Sequence, residues 1–207
     1  MNSDKKALSK AVFDKDAATY DHSSKYPFLK EHSRVAEEGL KHPFLTMLDV
    51  GCGTGSLLSM IHEKKPDAKL FGADLSDEMI KVAKGKLGEK ADLRVADSEH
   101  LPFKEKSFDL ISCTFSFHHY PNPKAVFTEI ARVLNPGGKL ILADAHFAPL
   151  RPIINLFVIP FSKEGEVRIY SKKEMYALAQ SAGLTVLKWE KINWHVYMMV
   201  AGKNTSL

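Results

Sequence analysis

The sequence predicts an α/β fold in which a doubly wound, mostly parallel sheet carries helices on both faces. Between residues 46 and 144, short apolar runs alternate with amphipathic segments, as in a chain of strand–helix units. A glycine-rich turn follows the first run, and acidic residues close several later ones. Because the strands are parallel, their carboxyl ends should meet at one edge, where a ligand binds beside the first strand.

The first predicted strand runs directly into the glycine-rich turn. Residues 48–55 read LDVGCGTG, and an apolar-periodic helix follows. Glycine tolerates positive φ and lets a ligand approach the backbone, and the free amides of a helix start favour an anion. The dinucleotide fingerprint would need a glycine where Ser56 stands. The spacing therefore departs from the dinucleotide pattern, and the kind of ligand depends on the residues that follow.

Acidic residues close the next two predicted strands. Asp74 follows the strand over 69–73, and Asp97 follows the strand over 92–96. A carboxylate at the end of the second strand can accept both hydroxyls of a ribose. The later core elements are a helix over 77–86, a strand over 108–113, a helix over 123–134, a turn over 135–138 and a strand over 139–143.

Two regions flank this alternation. Before it, helices are predicted over 3–18 and 27–40; after it, residues 146–170 form an irregular apolar insert. Ser171 and Glu174 form a capping box that begins a helix over 171–182. The closing strands, over 184–190 and 194–201, have a short connection and should pair antiparallel.

The motifs together resemble those of class I S-adenosylmethionine-dependent methyltransferases of the small-molecule type. The resemblance covers about 46–144 and rests on LDVGCGTG, GADLSDEMIKVAK, RVADSEHLPF and the segment from the fourth strand to the fifth, in that order. It implies S-adenosyl-L-methionine as cofactor. It also implies a Rossmann-like seven-stranded sheet of order 3-2-1-4-5-7-6 with the last strand antiparallel.

The resemblance also implies a set of cofactor-binding residues. Asp49 would fix the glycine loop and the methionine amino group, Asp74 the ribose, and Asp97 the adenine amino group. Tyr20 would close over the cofactor, with packing at a helix end as the alternative. Leu75 and Met79 would flank the adenine ring, with a core role as the alternative for Met79. The full predicted set is Tyr20, Asp49, Gly51, Cys52, Gly53, Gly55, Asp74, Leu75, Met79, Asp97, Ser98, Thr114 and Phe115.

Two adjacent histidines are the candidate catalytic residues. His118 and His119 follow the fourth strand, at the edge where a methyl acceptor must lie. A histidine there can take a proton from the acceptor near neutral pH. The alternative is that both histidines pack or cap the next helix. A base is needed only if the acceptor must lose a proton.

The composition fits one globular domain. The chain has 207 residues, a net charge of +4 and two cysteines. Its scattered basic residues predict no nucleic-acid partner, and no cysteine–histidine spacing predicts a metal site. The polar N-terminus lacks a signal-peptide core, and the apolar run over 152–161 is too short to span a bilayer. We expect a cytoplasmic protein without stable membrane association.

We expect a single methyltransferase domain over residues 1–207 with four parts. They are an N-terminal helical lid (1–45), a cofactor-binding core (46–144), a substrate-lid insert (145–170) and a C-terminal helix with an antiparallel strand pair (171–207). Within it, 12–26 and 146–170 should form a mobile lid over an apolar pocket, which suits a small, partly hydrophobic methyl acceptor. Alternatively these segments cover the sheet end or form a homodimer contact.

Three other functions remain open from the sequence. An NAD-dependent oxidoreductase also places an acid after a glycine turn, although Ser56 argues against it. A non-catalytic cofactor- or partner-binding module can share the same fold. Tyr20, Asp21 and the fourth-strand segment resemble ubiquinone and menaquinone C-methyltransferases, but the fuller signatures of those enzymes are missing because 22–24 read His-Ser-Ser.

Overall fold

The computed structural model describes residues 2–23 and 29–204, with side chains from Asp4 to Ser23 and from Glu31 onwards. A seven-stranded sheet of order β3-β2-β1-β4-β5-β7-β6 lies at its centre. The strands are β1 Thr46–Val50, β2 Lys69–Asp74, β3 Ala91–Val95, β4 Phe108–Thr114, β5 Leu134–Ala145, β6 Leu184–Lys191 and β7 Val196–Lys203. The α-helices are α1 Asn2–Asp16, α2 Leu29–Gly39, α3 Ser56–Lys64, α4 Asp77–Leu87, α5 Pro123–Val133, α6 Arg151–Ile153 and α7 Lys172–Ser181.

The strand order and directions confirm the predicted fold class. The four pairs within β3-β2-β1-β4-β5 are parallel, and β7 runs antiparallel to both β5 and β6. Apolar side chains of α5 and α7 form a core on one face of the sheet. Those of α2, α3 and α4 form a core on the other face. The sheet is therefore doubly wound, and ligands of such sheets bind at the carboxyl edge.

The structure corrects several predicted elements. The turn predicted over 135–138 lies inside β5, where pairing with β4 is irregular between Phe108 and Leu110. The insert is partly helical: α6 continues as a π-helix, Ile154–Val158, and a 3-10 helix, Ile159–Phe161. At the N-terminus, α1 is followed by a 3-10 helix, Ala17–His22. The start of the helix predicted over 27–40 lies outside the described residues.

Helix α1 lies across the carboxyl edge of the sheet. Ser76 caps α4 by accepting from Met79 N–H at 3.0 Å, and its hydroxyl donates to Asp14 Oδ1 of α1 at 2.5 Å. On the other side, a Cβ placed on Gly165 would lie 2.6 Å from the backbone nitrogen of Ser9. Helix α1 is thus packed between the cofactor edge and the insert, so both flanking regions meet over the sheet.

Candidate cofactor and acceptor site

The glycine-rich turn joins β1 to α3 at this edge. Gly51, Gly53 and Gly55 have positive φ, at 72°, 51° and 76°. A Cβ on Gly51 would lie 2.5 Å from Ser116 Oγ, and one on Gly55 would lie 2.8 Å from a Leu87 carbon. At Gly53 no atom of the described residues outside its chain neighbours lies within 4 Å of the Cβ position. Packing therefore requires two of these glycines, and the third borders space for a ligand.

Asp74 holds the turn from the end of β2. Its Oδ2 accepts from the Gly53 amide at 2.8 Å, and its Oδ1 accepts from the Ser76 amide at 2.9 Å. Burial raises the pKa of Asp74, although these amides favour its charged form. A carboxylate oxygen has capacity for a second hydrogen bond. Asp74 can therefore brace the loop and still accept ribose hydroxyls.

Asp49 lies beneath the turn, in the middle of the sheet edge. Its Oδ1 accepts from the Ser112 hydroxyl at 2.6 Å, while Oδ2 is buried with no hydrogen-bond partner among the described residues. Burial raises the pKa of Asp49 to about 7. Asp49, Tyr20, His32 and Thr114 line a small cavity beside the loop. An unpartnered carboxylate oxygen here fits an ammonium or amide donor of a ligand.

A larger cavity follows the ends of β1, β2 and β3 under α1. Predicted cofactor residues lie on its sheet side, and Lys6, Ser9, Lys10 and Phe13 of α1 close it from above. Its other lining residues are Gly51, Ala73, Asp74, Leu75, Ser76, Ala96, Asp97, Ser98, Ser116, His119 and Tyr120. Thus the loop, the ribose acid and the adenine acid predicted from the sequence border one space.

In this arrangement Asp97 already has a cationic partner. Lys6 Nζ donates to Asp97 Oδ2 at 2.6 Å and lies 2.9 Å from Glu99 Oε1. The Glu99 amide donates to Asp97 Oδ1 at 2.9 Å. An adenine amino group would therefore share Asp97 with Lys6 or displace it.

The Tyr-Asp pair fastens the segment after α1 to the glycine loop. Tyr20 lines the cavity beside Asp49. Asp21 Oδ1 accepts from Thr54 Oγ1 at 2.6 Å and from Ser56 Oγ at 3.0 Å, and Lys86 Nζ lies 2.7 Å from Asp21 Oδ2. Burial alone would raise the pKa of Asp21, but these partners lower it. Asp21, which the sequence presents only as the neighbour of Tyr20, makes the contacts that hold this segment against the loop.

A second cavity, of about 750 Å³, lies under the insert. Its walls are mostly apolar, and four of its polar lining residues come from residues 162–166. The lining residues are His118, Ala145, Phe147, Ile154, Phe157, Val158, Ile159, Phe161, Ser162, Lys163, Glu164, Glu166 and Ile169. Such a composition suits a partly apolar small molecule that is oriented by a few polar groups.

His118, which follows β4 at the edge of the sheet, lines this second cavity. Its Nδ1 lies 2.6 Å from Asp144 Oδ1, and its backbone amide donates to Asp144 Oδ2 at 2.9 Å. Burial alone would lower the pKa of His118, but Asp144 outweighs burial and raises it. With Nδ1 held by the carboxylate, Nε2 is the nitrogen left to exchange a proton with an acceptor.

His119 occupies a different environment from its neighbour. It lines the cavity under α1, and its ring packs edge-on against Phe13 with centroids 5.1 Å apart. Burial and the neighbouring His118 lower the pKa of His119 well below the usual value. His119 therefore lines the cavity under α1, whereas His118 lines the second cavity under the insert.

The remaining predicted residues lie in three settings. Leu75 and Ser98 line the cavity under α1, and Cys52 and Thr114 line the small cavity beside Asp49. Phe115 is buried with φ at 52°, and the centroids of its ring and the His32 ring lie 5.5 Å apart. Met79 is buried but lines neither cavity. Residues that the sequence analysis did not assign to the site are Lys6, Phe13, Asp21, His32, Ser116, Tyr120 and Asp144.

The fold, the glycine loop and the acidic strand ends together define a class I methyltransferase-like chain, and comparison with known proteins agrees. Residues 48–142 match a family model described as "Methyltransferase domain". A demethylmenaquinone methyltransferase of Listeria monocytogenes is 30% identical over 195 residues, covering 83% of this chain and 82% of the relative. The chain therefore belongs to the methyltransferase family that this model describes.

Two further comparisons limit what can be concluded from family membership about the reaction and the acceptor. A demethylmenaquinone methyltransferase of Deinococcus radiodurans is 33% identical over 113 residues, and the match spans only 47% of that relative. The crystal structure of the [4+2]-cyclase SpnF superposes with a TM-score of 0.73 at 20% identity, covering 86% of this chain and 82% of that one. The latter likeness concerns the fold alone, since one fold can serve different reactions.

Proposed function

We propose that this chain transfers a methyl group from S-adenosyl-L-methionine to a small, partly apolar acceptor. The observation that carries the proposal is the pair of cavities on either side of His118 and His119. One cavity is bordered by the glycine loop and strand-end acids, and the other is apolar with His118 in its wall. A donor and an acceptor can thus meet at the end of β4.

Several residues fit the cofactor. The open space at Gly53 accommodates its approach to the backbone, and the unpartnered Asp49 oxygen fits the amino group of its methionine part. Asp74 and Asp97 would hold its ribose and adenine. When bound, S-adenosylmethionine supplies a methyl group that its sulfonium charge already activates. The protein then contributes position and exclusion of water.

His118 would take the proton that the acceptor loses. The cofactor would supply the methyl group and leave as S-adenosylhomocysteine, with the electron pair of the broken carbon–sulfur bond on sulfur, as the acceptor atom gains its bond to carbon. The acceptor's proton passes to His118 Nε2, and Asp144 stabilises the resulting cation. His119, with its lowered pKa and its place against Phe13, is a wall of the donor cavity in this scheme.

The relatives' name makes demethylmenaquinone the first acceptor to test. Calorimetric titration with S-adenosylhomocysteine and with NAD separates a methyltransferase from an oxidoreductase, and we expect binding of the former alone. Transfer of a radiolabelled methyl group to a reduced demethylmenaquinone with a short side chain then tests the acceptor class. Tight S-adenosylhomocysteine binding without transfer to a broad acceptor panel would instead favour a non-catalytic module.

A further inference from the structure

The insert after β5 carries an exposed apolar surface. Seven of the thirteen large apolar side chains that are exposed among the described residues belong to it or to the neighbouring β6–β7 connection. We call these seven the apolar surface: Leu150, Ile153, Leu156, Phe157, Val158, Phe161 and Trp194. Phe161 is 80% exposed, and Trp194 is 65% exposed. A concentration of this kind marks a binding surface rather than scattered exposure.

The elements beneath the surface are joined to one another. The ring of Phe147, at the base of the insert, meets Trp194 with centroids 5.7 Å apart. The His146 amide donates to the His195 carbonyl at 2.7 Å, which fixes the insert to the β6–β7 connection. Residues 151–161 are helical throughout, so the apolar side chains stand on ordered backbone.

Three basic residues flank this surface. Residues 145–163 and 191–195 contain no Asp or Glu, but they do contain Arg151, Lys163 and Lys191. Arg151 and Lys191 act together, with burial, to lower the pKa of His146, which places both cations near it. The nearest acids in sequence face the second cavity or are paired with cations. Glu166 accepts from Ser162, Glu164 lines the second cavity with it, and Glu190 pairs with Arg34 and Lys188.

We propose that the apolar surface docks reversibly on an anionic lipid bilayer. A bilayer is the occupant that this combination fits, because apolar side chains enter the acyl boundary while a basic rim meets the headgroups. No helix in the described part of the chain is long and apolar enough to cross a membrane, so the contact is peripheral. Phe157, Val158 and Phe161 also line the second cavity, so the surface and the cavity are continuous.

This continuity gives the docking a consequence that rests on the proposed function. An acceptor dissolved in the lipid would reach His118 through the insert without crossing water. The docking itself needs no cofactor or acceptor. It can therefore be measured apart from methyl transfer, and either conclusion can fail while the other stands.

Vesicle flotation of the purified full chain tests the docking directly. We expect binding to vesicles of phosphatidylglycerol and phosphatidylcholine in equal parts, much weaker binding to phosphatidylcholine alone, and release at high salt. The variant Ile153→Ser/Leu156→Ser changes two exposed side chains that do not line the second cavity. It should lower the partition coefficient at least about tenfold, because each substitution removes apolar surface that the bilayer would bury.

A matched double variant, Leu45→Ser/Leu187→Ser, controls for loss of apolar surface as such. Both residues are exposed, and Leu45 precedes β1 at the opposite edge of the sheet. This control should float like the parent protein, and Arg151→Gln/Lys191→Gln should bind anionic vesicles more weakly. Melting temperature and S-adenosylhomocysteine affinity confirm that each variant is folded.

Two results would overturn the membrane assignment. One is equal flotation of the parent and the Ile153→Ser/Leu156→Ser variant. The other is a parent protein that does not bind vesicles and is a dimer in light scattering, whereas the Ile153→Ser/Leu156→Ser variant is a monomer. The surface would then be an interface between two copies.

Discussion

The cofactor edge and the acceptor edge of this molecule are built in opposite ways. At the cofactor edge, the buried Asp49 and the partly buried Asp74 are carboxylates that meet backbone amides and a hydroxyl around the glycine turn. At the acceptor edge, a helical insert presents apolar side chains, and His118 with Asp144 is the polar pair from the sheet. An invariant donor requires fixed polar contacts, whereas a hydrophobic acceptor requires shape and exclusion of water. In the proposed reaction, this difference would separate the contacts that hold the methyl donor from those that select its acceptor.

The largest effect should come from filling the cofactor space. We expect Gly53→Val to abolish S-adenosylhomocysteine binding, because the branched side chain fills the space beside the loop that Gly53 leaves open. Titration calorimetry on the folded variant measures it. Gly88→Val is the matched control, since Gly88 also has positive φ, at 56°, and no described atom within 4 Å of its Cβ position outside its chain neighbours. Retained affinity in Gly53→Val would mean that the loop is only a turn.

The next largest effect tests the acceptor edge. We expect His118→Gln to lower kcat about 100-fold, in the range of a lost general base, and to leave S-adenosylhomocysteine affinity within about twofold. In the parent, kcat should rise with pH through a His118 pKa above 6.5, because the neutral imidazole is the base. A kcat unchanged by the substitution would show that the acceptor loses no proton to this residue.

Asp144, as a positioning residue, gives a second test of His118 as the base. Asp144→Asn removes the carboxylate that raises the pKa of His118, so the rising limb of the pH profile should move to lower pH. A purely structural role would lower kcat without moving that limb. His119→Gln is the comparison within the pair, and we expect it to act on cofactor affinity instead.

The ribose acid should give a smaller effect on the cofactor side. Asp74→Ala should weaken S-adenosylmethionine binding at least about tenfold, because charge-assisted hydrogen bonds of this kind contribute about 1.5–3 kcal/mol. The Gly53 amide would also lose its acceptor. Asp67→Ala, an exposed carboxylate just before β2, is the control. An unchanged dissociation constant would remove Asp74 from the site.

The sequence predicted the cofactor edge more fully than the acceptor edge. The sheet order was predicted from the resemblance to class I methyltransferases. The glycine loop and the strand-end acids were accessible because the ends of parallel strands meet at one edge. Asp144 could have been found by the same reasoning, since it stands near the end of β5 as Asp74 does at the end of β2. Its role depends on His118 folding back onto it, which no local pattern encodes.

The flanking regions were harder to predict for physical reasons. Residues 149–160 include three prolines, which read as breaks in a helix. In the structure Pro152 and Pro160 lie in the first turns of short helices, where the missing N–H costs nothing. Helix α1 was predicted, but its docking depends on Lys6, Asp14 and Phe13 finding partners far along the chain. Tertiary contacts, not propensity, place these elements.

The smallest effect concerns the lid, where the two regions meet. We expect Lys6→Met to weaken S-adenosylhomocysteine binding by no more than about fivefold, because its ion pairs with Asp97 and Glu99 are partly exposed, and such pairs contribute about 0–1 kcal/mol. In the parent, S-adenosylhomocysteine should slow proteolysis within 2–22 and 146–170 together, since α1 touches the insert where Ser9 meets Gly165. Lys6→Met should reduce this protection, whereas Lys81→Met, an exposed lysine on α4, should not. Equal cleavage of both segments with and without S-adenosylhomocysteine would contradict a lid coupled to the cofactor, and protection of α1 alone would confine the lid to the cofactor edge.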